Sequence, residues 1–189
     1  MIKFAAPFLA LTLALPALGG TVTLTPANPQ PNAASLAPGL AVSYGFGGSA
    51  RTLADAEQRL KDATPGRALA GLSYLDTDPG ENVLTTNKRE KVAAAISGFI
   101  KFDAPGTFQV EFISNDGLVA HISGQQVALF DGVHGCESAG VKNVKVPTAG
   151  WYEITATYFQ RKGSACLLMD WSAEGEMLPV PDEAFAHLK

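Results

Sequence analysis

Cysteine is nearly absent: Cys136 and Cys166 are the only two among 189 residues. A chain so poor in thiols is not a disulfide-dense miniprotein. His134, two residues before Cys136, is the one histidine close to either cysteine, and that spacing matches no zinc site. Basic residues are few as well. With 14 Lys and Arg against 18 Asp and Glu, the formal charge is -4, and no basic run is interleaved with aromatics. Nucleic acid is therefore excluded as a partner, since neutralising phosphates takes a basic face. Histidine occurs three times, as His121, His134 and His187. G-x-S-x-G, H-E-x-x-H and the Walker loop are all missing, and with them the common short signatures of hydrolases and nucleotide enzymes. Past the first stretch, no apolar run is long enough to span a bilayer.

That first stretch, "MIKFAAPFLALTLALPALGG", has Lys3, an apolar run, Pro16 and then small residues. It reads as an export signal over residues 1–19, with a cut near Gly19 or Gly20 and a core too short to cross a bilayer. The expected location is periplasmic or secreted, with no permanent membrane span after signal removal. Disulfides persist there, so Cys136 and Cys166 are expected to pair. Closing that loop stabilises the fold by about 3–4 kcal/mol in the chain-entropy model.

Residues 20–38 are rich in Pro, Asn and Ala and read as an extended arm leading to one domain over 39–189. In "GLAVSYGF", Leu40, Val42, Tyr44 and Phe46 alternate as on a half-buried strand. Thr52 then precedes Leu53, Ala56, Leu60 and Ala63 at helical spacing, with Asp55 placed for a capping box, so one short helix is expected near 52–63. Everything after it reads as strand and turn. "GFIKF" leads through Pro105 and Gly106 to "TFQVEFI", where Phe108, Val110 and Phe112 face inward. Tyr152, Ile154, Ala156 and Tyr158 share one face of the next long strand, and Ala165, Leu167, Met169 and Trp171 one face of the last, leaving Cys166 on the other. A disulfide from Cys166 would pin the 131–140 loop onto the sheet. Short strands at regular spacing with Gly and Pro turns give an all-β, antiparallel sandwich or barrel-like domain.

Two stretches offer alternatives. "GFGGSA" matches the G-x-G-x-x-[GA] dinucleotide fingerprint through Gly45, Gly47 and Ala50, but no further βαβ units follow to build a parallel sheet. "ISNDGLVAHISG" over 113–124 is a hairpin with tight turns, in which glycine accepts the positive φ, and Asn115 and Asp116 also set two oxygen ligands side by side at its head. In the Gly-rich loop after it, His134 sits near Asp131 and Glu137, either as a general base or ligand or as a solvated loop residue.

Gly98-Phe99, Pro105-Gly106-Thr107-Phe108, Asn115-Asp116-Gly117 and Ser123-Gly124 follow one another in an order that resembles the central segment of the PA-fourteen (PA14) domain. Ala149-Gly150-Trp151-Tyr152, Tyr158-Phe159 and the run from Ala165 to Trp171 resemble its later strands, and the likeness covers roughly 39–181. The resemblance implies a β-sandwich or barrel-like fold of PA-fourteen type and frequent carbohydrate recognition. In sugar-binding adhesin members two adjacent Asp residues at the D-D-G turn hold calcium. Here Asn115 takes the first place with one charge fewer and Asp116 the second, so Asn115 and Asp116 are the tentative calcium ligands. Asp131 and Glu137 are the nearest further oxygens in sequence, and the opposing reading of Asn115-Asp116-Gly117 is a turn and nothing more.

Trp151 and Phe159 face outward from their strand, either to stack on a sugar ring or to pack under a covering segment such as the 21–38 arm. The expected ligand-binding set is Asn115, Asp116, Asp131, His134 and Trp151, with no catalytic residue assigned. The expected function is non-catalytic binding of a glycan or cell-envelope polysaccharide, calcium-assisted if the turn holds an ion. The alternatives are a cell-surface component that contacts a surface protein and binds no sugar, and a small hydrolase.

Overall fold

The computed structural model describes residues 20–189, and the export signal expected over 1–19 lies outside them. Fourteen strands and one helix follow in chain order: β1 (Val22–Thr23), β2 (Leu36–Pro38), β3 (Ala41–Phe46), α1 (Leu53–Leu60), β4 (Thr64–Pro65), β5 (Ser73–Tyr74), β6 (Val92–Phe102), β7 (Gly106–Ser114), β8 (Leu118–Ile122), β9 (Gln125–Phe130), β10 (Glu137–Val146), β11 (Gly150–Gln160), β12 (Leu167–Ser172), β13 (Leu178–Pro179) and β14 (Phe185–Leu188). They form two sheets. One runs β1-β10-β7-β12-β13, with β5 also on β12; the other runs β2-β14-β6-β11-β8-β9, with β3 also on β6 and β4 on β3. Pairing is antiparallel except for β1, which runs parallel to β10.

The alternation of side chains builds the core between the sheets. Val110 and Phe112 of β7, Leu167 and Met169 of β12, Ile100 and Phe102 of β6, and Tyr152, Ile154 and Tyr158 of β11 lose essentially all their solvent contact there. Strand β6 starts six residues before the expected "GFIKF", at Val92. Its alanines explain both the length and the missing pattern. Ala94 faces the sandwich core, whereas Ala93 lies outside the sheet in a second cluster with Ala50, Leu53, Ala56 and Phe159. That cluster is where α1 docks, and small side chains let a helix approach a sheet closely. Phe159 is thus covered by α1 and by neither solvent nor the arm, a burial that contributes about 2–3 kcal/mol.

The helix matches its sequence signals. Thr52 caps it, and Asp55 completes the capping box by accepting from the Thr52 backbone at 3.2 Å. "GFGGSA" turns out to serve the same docking: a Cβ on Gly45 would run into the Arg59 carbonyl of α1, so glycine is required for packing. Residues 20–38, expected as an arm, are part of the sandwich. They supply β1 and β2, and Leu24 is buried in the core.

Candidate functional site

Four connections gather at one end of the sandwich: residues 115–117 between β7 and β8, 131–136 between β9 and β10, 161–166 between β11 and β12, and the stretch beginning at Asp76 after β5. Asn115 and Asp116 lie at the centre, each only 2% exposed. A buried amide must place all its polar atoms, and Asn115 does. Its Oδ1 accepts from the Tyr158 hydroxyl at 2.6 Å and from the Cys166 backbone N–H at 2.9 Å, while its Nδ2 donates to the Ser164 carbonyl at 2.8 Å. Both Oδ1 lone pairs are thereby occupied. Burial pushes the Tyr158 phenol well above its usual range, so it stays protonated and donates.

Asp116 is held as closely. Its Oδ2 accepts from the Arg161 backbone N–H at 2.6 Å, and its own N–H donates to the His134 carbonyl at 3.1 Å. The turn chemistry differs from expectation in one detail. The left-handed residue is Asp116, with φ of 53°, and Gly117 is needed for space, because a Cβ there would collide with the Phe159 ring. At the far end of that hairpin Ser123 and Gly124 take φ of 53° and 71°, the pair of positive values that a two-residue hairpin turn requires.

The cysteines are bonded to each other, Cys136–Cys166, which ties the 131–136 connection to the 161–166 connection. Among the described residues, one group of three metal-ligand side chains lies within 4.8 Å, Asp76 with Cys136 and Cys166, and the two sulfurs in it are already spent on their bridge. The structure brings Asn115, Asp116 and His134 together and sends the other expected ligands elsewhere. The His134 ring lies on Phe130, with centroids 3.6 Å apart, and neither ring nitrogen has a protein partner. Asp131 accepts from the Leu53 N–H at 2.7 Å, supporting the N-terminus of α1, where a carboxylate is favoured. Trp151 is ten residues along β11 from Arg161, about 33 Å for an extended strand. Its backbone is clasped by the N-terminal segment: the carbonyl accepts from Ala27, and the N–H donates to Gln30 Oε1 at 2.8 Å.

Burial dominates the Asp116 carboxyl and raises its pKa, against the lowering effects of the Arg161 and His134 backbone N–H groups and of the nearby Arg161 guanidinium. A carboxyl raised on folding contributes stability that is complete below the ordinary aspartate pKa near 4 and is lost as pH rises through the folded value. Asp116→Asn cannot ionise and accommodates a positive φ. Its unfolding free energy is expected to vary less than the parent's as pH rises from about 4, in denaturant titrations at successive pH values. A residual slope is expected from Asp170, which burial and the neighbouring Glu111 carboxylate raise in the same direction.

Two open surfaces stand apart from this buried knot. The outer face of the β2–β9 sheet carries a shallow groove floored by Ala41, Ser97 and Thr155, with depressions of about 410 and 290 Å³ and with Glu57 of α1 on its rim. The other is a cleft of about 550 Å³ beside Phe108 and Trp171, at the opposite end of β7 from Asn115. The sequence places Phe108 and Trp171 on inward faces; in the structure both are half-buried, each packed on Phe102 and also lining the cleft.

No protein-family model matches the chain, nor does the sequence of any curated protein. Solved structures do. The PA14 domain of the MpAFP antifreeze protein superposes with a TM-score of 0.68 at 16% identity, over 81% of this chain and 92% of that one. The PA14 sugar-binding domain from an RTX adhesin gives 0.61 at 18% identity, over 79% and 98%. The epithelial adhesin 9 A domain from Candida glabrata, in complex with Galβ1-3GlcNAc, gives 0.65 at 12% identity, over 89% and 97%. With two sheets and a single α-helix among the described residues, and this agreement over four-fifths of its length, the chain has the fold of a PA14 domain.

Proposed function

We propose that the protein is a non-catalytic glycan-binding module acting outside the cytoplasm, periplasmic or secreted, and that it binds sugar without calcium at residues 115–116. The fold held in common with an adhesin domain named for sugar binding, and with another solved with a disaccharide bound, supports the glycan reading. The Cys136–Cys166 bridge supports an oxidising location. The observation that carries the calcium-free reading is the saturation of Asn115. Calcium takes six to eight oxygens, and to use Oδ1 it would have to displace the Tyr158 hydroxyl or the Cys166 N–H, each of which is fully buried and has no solvent to turn to.

A glycan array probed in calcium and again in a chelator tests this. The expected result is the same set of bound glycans in both conditions and a melting temperature that calcium does not move. Binding that disappears in the chelator overturns the calcium-free reading. Binding to no glycan in either condition overturns the glycan reading and favours contact with a surface protein, and product released from a bound polysaccharide would make the protein a hydrolase.

A further inference from the structure

The cleft at the far end of the sandwich has the composition of a sugar subsite. Phe108 from the start of β7 and Trp171 from the end of β12 stand with ring centroids 5.9 Å apart, each backed by Phe102 at 4.9 and 5.3 Å. That backing fixes two half-buried rings at the cleft without closing it. Ser172 follows Trp171 in β12 and also lines the cleft. It is 6% exposed, and its hydroxyl has no hydrogen-bond partner. Its oxygen lies just beneath the cleft wall, out of contact with solvent, and buried hydroxyls are ordinarily bonded, so this orphan marks where an incoming polar group would be received on a turn of the Ser172 side chain. Glu174 and Glu176, both exposed, add two carboxylates, and no Lys, Arg or His lines the cleft.

A pyranose ring presents an apolar C–H face and a rim of hydroxyls. Aromatic rings suit the first, while carboxylates, which only accept, suit the donors of the second. The same carboxylates repel an anionic sugar, with no base nearby to offset them. The geometry points to this cleft as the binding site for an uncharged pyranose, an assignment that rests on the glycan reading proposed above.

The chain has two tryptophans, so Trp151→Phe leaves Trp171 as the only indole and makes its fluorescence a reporter of the cleft. The probes are hexasaccharides of β-glucan, chitin and galactan, with oligogalacturonate as the anionic counterpart. The expected result is a saturable change in Trp171 emission with a neutral probe and none with oligogalacturonate. Ser172→Ala removes an unpaired hydroxyl, so its melting temperature is expected to stay at or above the parent's while affinity falls about tenfold. Replacing Glu174 and Glu176 together by Gln is expected to weaken neutral binding several-fold and to admit oligogalacturonate. Glu57→Gln, on the rim of the sheet-face groove, is expected to bind as the parent does.

Three results overturn the placement while the glycan reading stands: parental affinity in Ser172→Ala with silent Trp171 emission, loss of binding in Glu57→Gln, or loss of binding in Trp151→Phe alone. A parent that binds none of the neutral probes overturns the placement together with the reading beneath it.

Discussion

Asn115→Ala is expected to lower the unfolding free energy by about 4 kcal/mol, in the upper tail of single substitutions. The truncation strands two buried groups at once, the Cys166 N–H and the Tyr158 hydroxyl, and leaves the half-buried Ser164 carbonyl to Gln160 Nε2 alone at 3.2 Å. Each orphaned group costs about 1–3 kcal/mol, and neither Tyr158 nor Cys166 has solvent to turn to, both being 0% exposed. Tyr158 cannot shed its proton to escape, because burial holds the phenol far above its normal range. In a domain of this size the loss corresponds to a fall of about 8–16 °C in melting temperature. Asn115→Asp separates the two jobs of the amide. It keeps acceptors for Tyr158 and Cys166, loses the donor to Ser164, and sets a second carboxylate beside buried Asp116, so its deficit is expected to grow as pH rises. Denaturant titration of both variants decides the matter. A loss under about 1 kcal/mol for Asn115→Ala would mean that this amide does not hold the connections together.

The elements that were legible in the sequence were those whose signal is local. Phe108, Val110 and Phe112 show the strand by period alone, and Thr52 with Asp55 shows the helix start, because capping is settled within four residues. Strand β6 was legible only from Gly98 onward. Ala93, Ala94 and Ala95 carry no polar alternation, since Ala93 meets a helix across the sheet where water would otherwise be. The same holds for Gly45 and Gly117, whose purpose lies in the backbone of Arg59 and the ring of Phe159, neither near in sequence. At the turn, residue types could name oxygen ligands but could not say what else wanted those oxygens. Tyr158 was visible as an inward aromatic. That its hydroxyl would need a buried acceptor follows from chemistry, but that the acceptor would be Asn115 depends on the register of β11 against β8, where Tyr158 stands opposite Leu118.

Removing the disulfide, as Cys136→Ala with Cys166→Ala, is expected to cost about 3–4 kcal/mol through the entropy of a loop whose ends are 30 positions apart in sequence. Its effect is also expected to overlap with that of Asn115. Cys166 is one terminus of the bridge, and its backbone both donates to Asn115 Oδ1 at 2.9 Å and accepts from the Asn115 N–H at 3.4 Å. Once the bridge is gone, the 161–166 connection is free to relax and find other partners for the groups that Asn115→Ala would strand. Asn115→Ala should therefore cost less without the bridge than with it. A four-protein cycle of parent, bridge-less, Asn115→Ala and combined variants measures this, with an expected coupling of at least about 1 kcal/mol. Strict additivity, within about 0.5 kcal/mol, would instead make the bridge and the amide independent fastenings. Coupling of the expected size would make them one structure, in which the position where relatives are expected to hold calcium is closed by a covalent bond and a saturated amide.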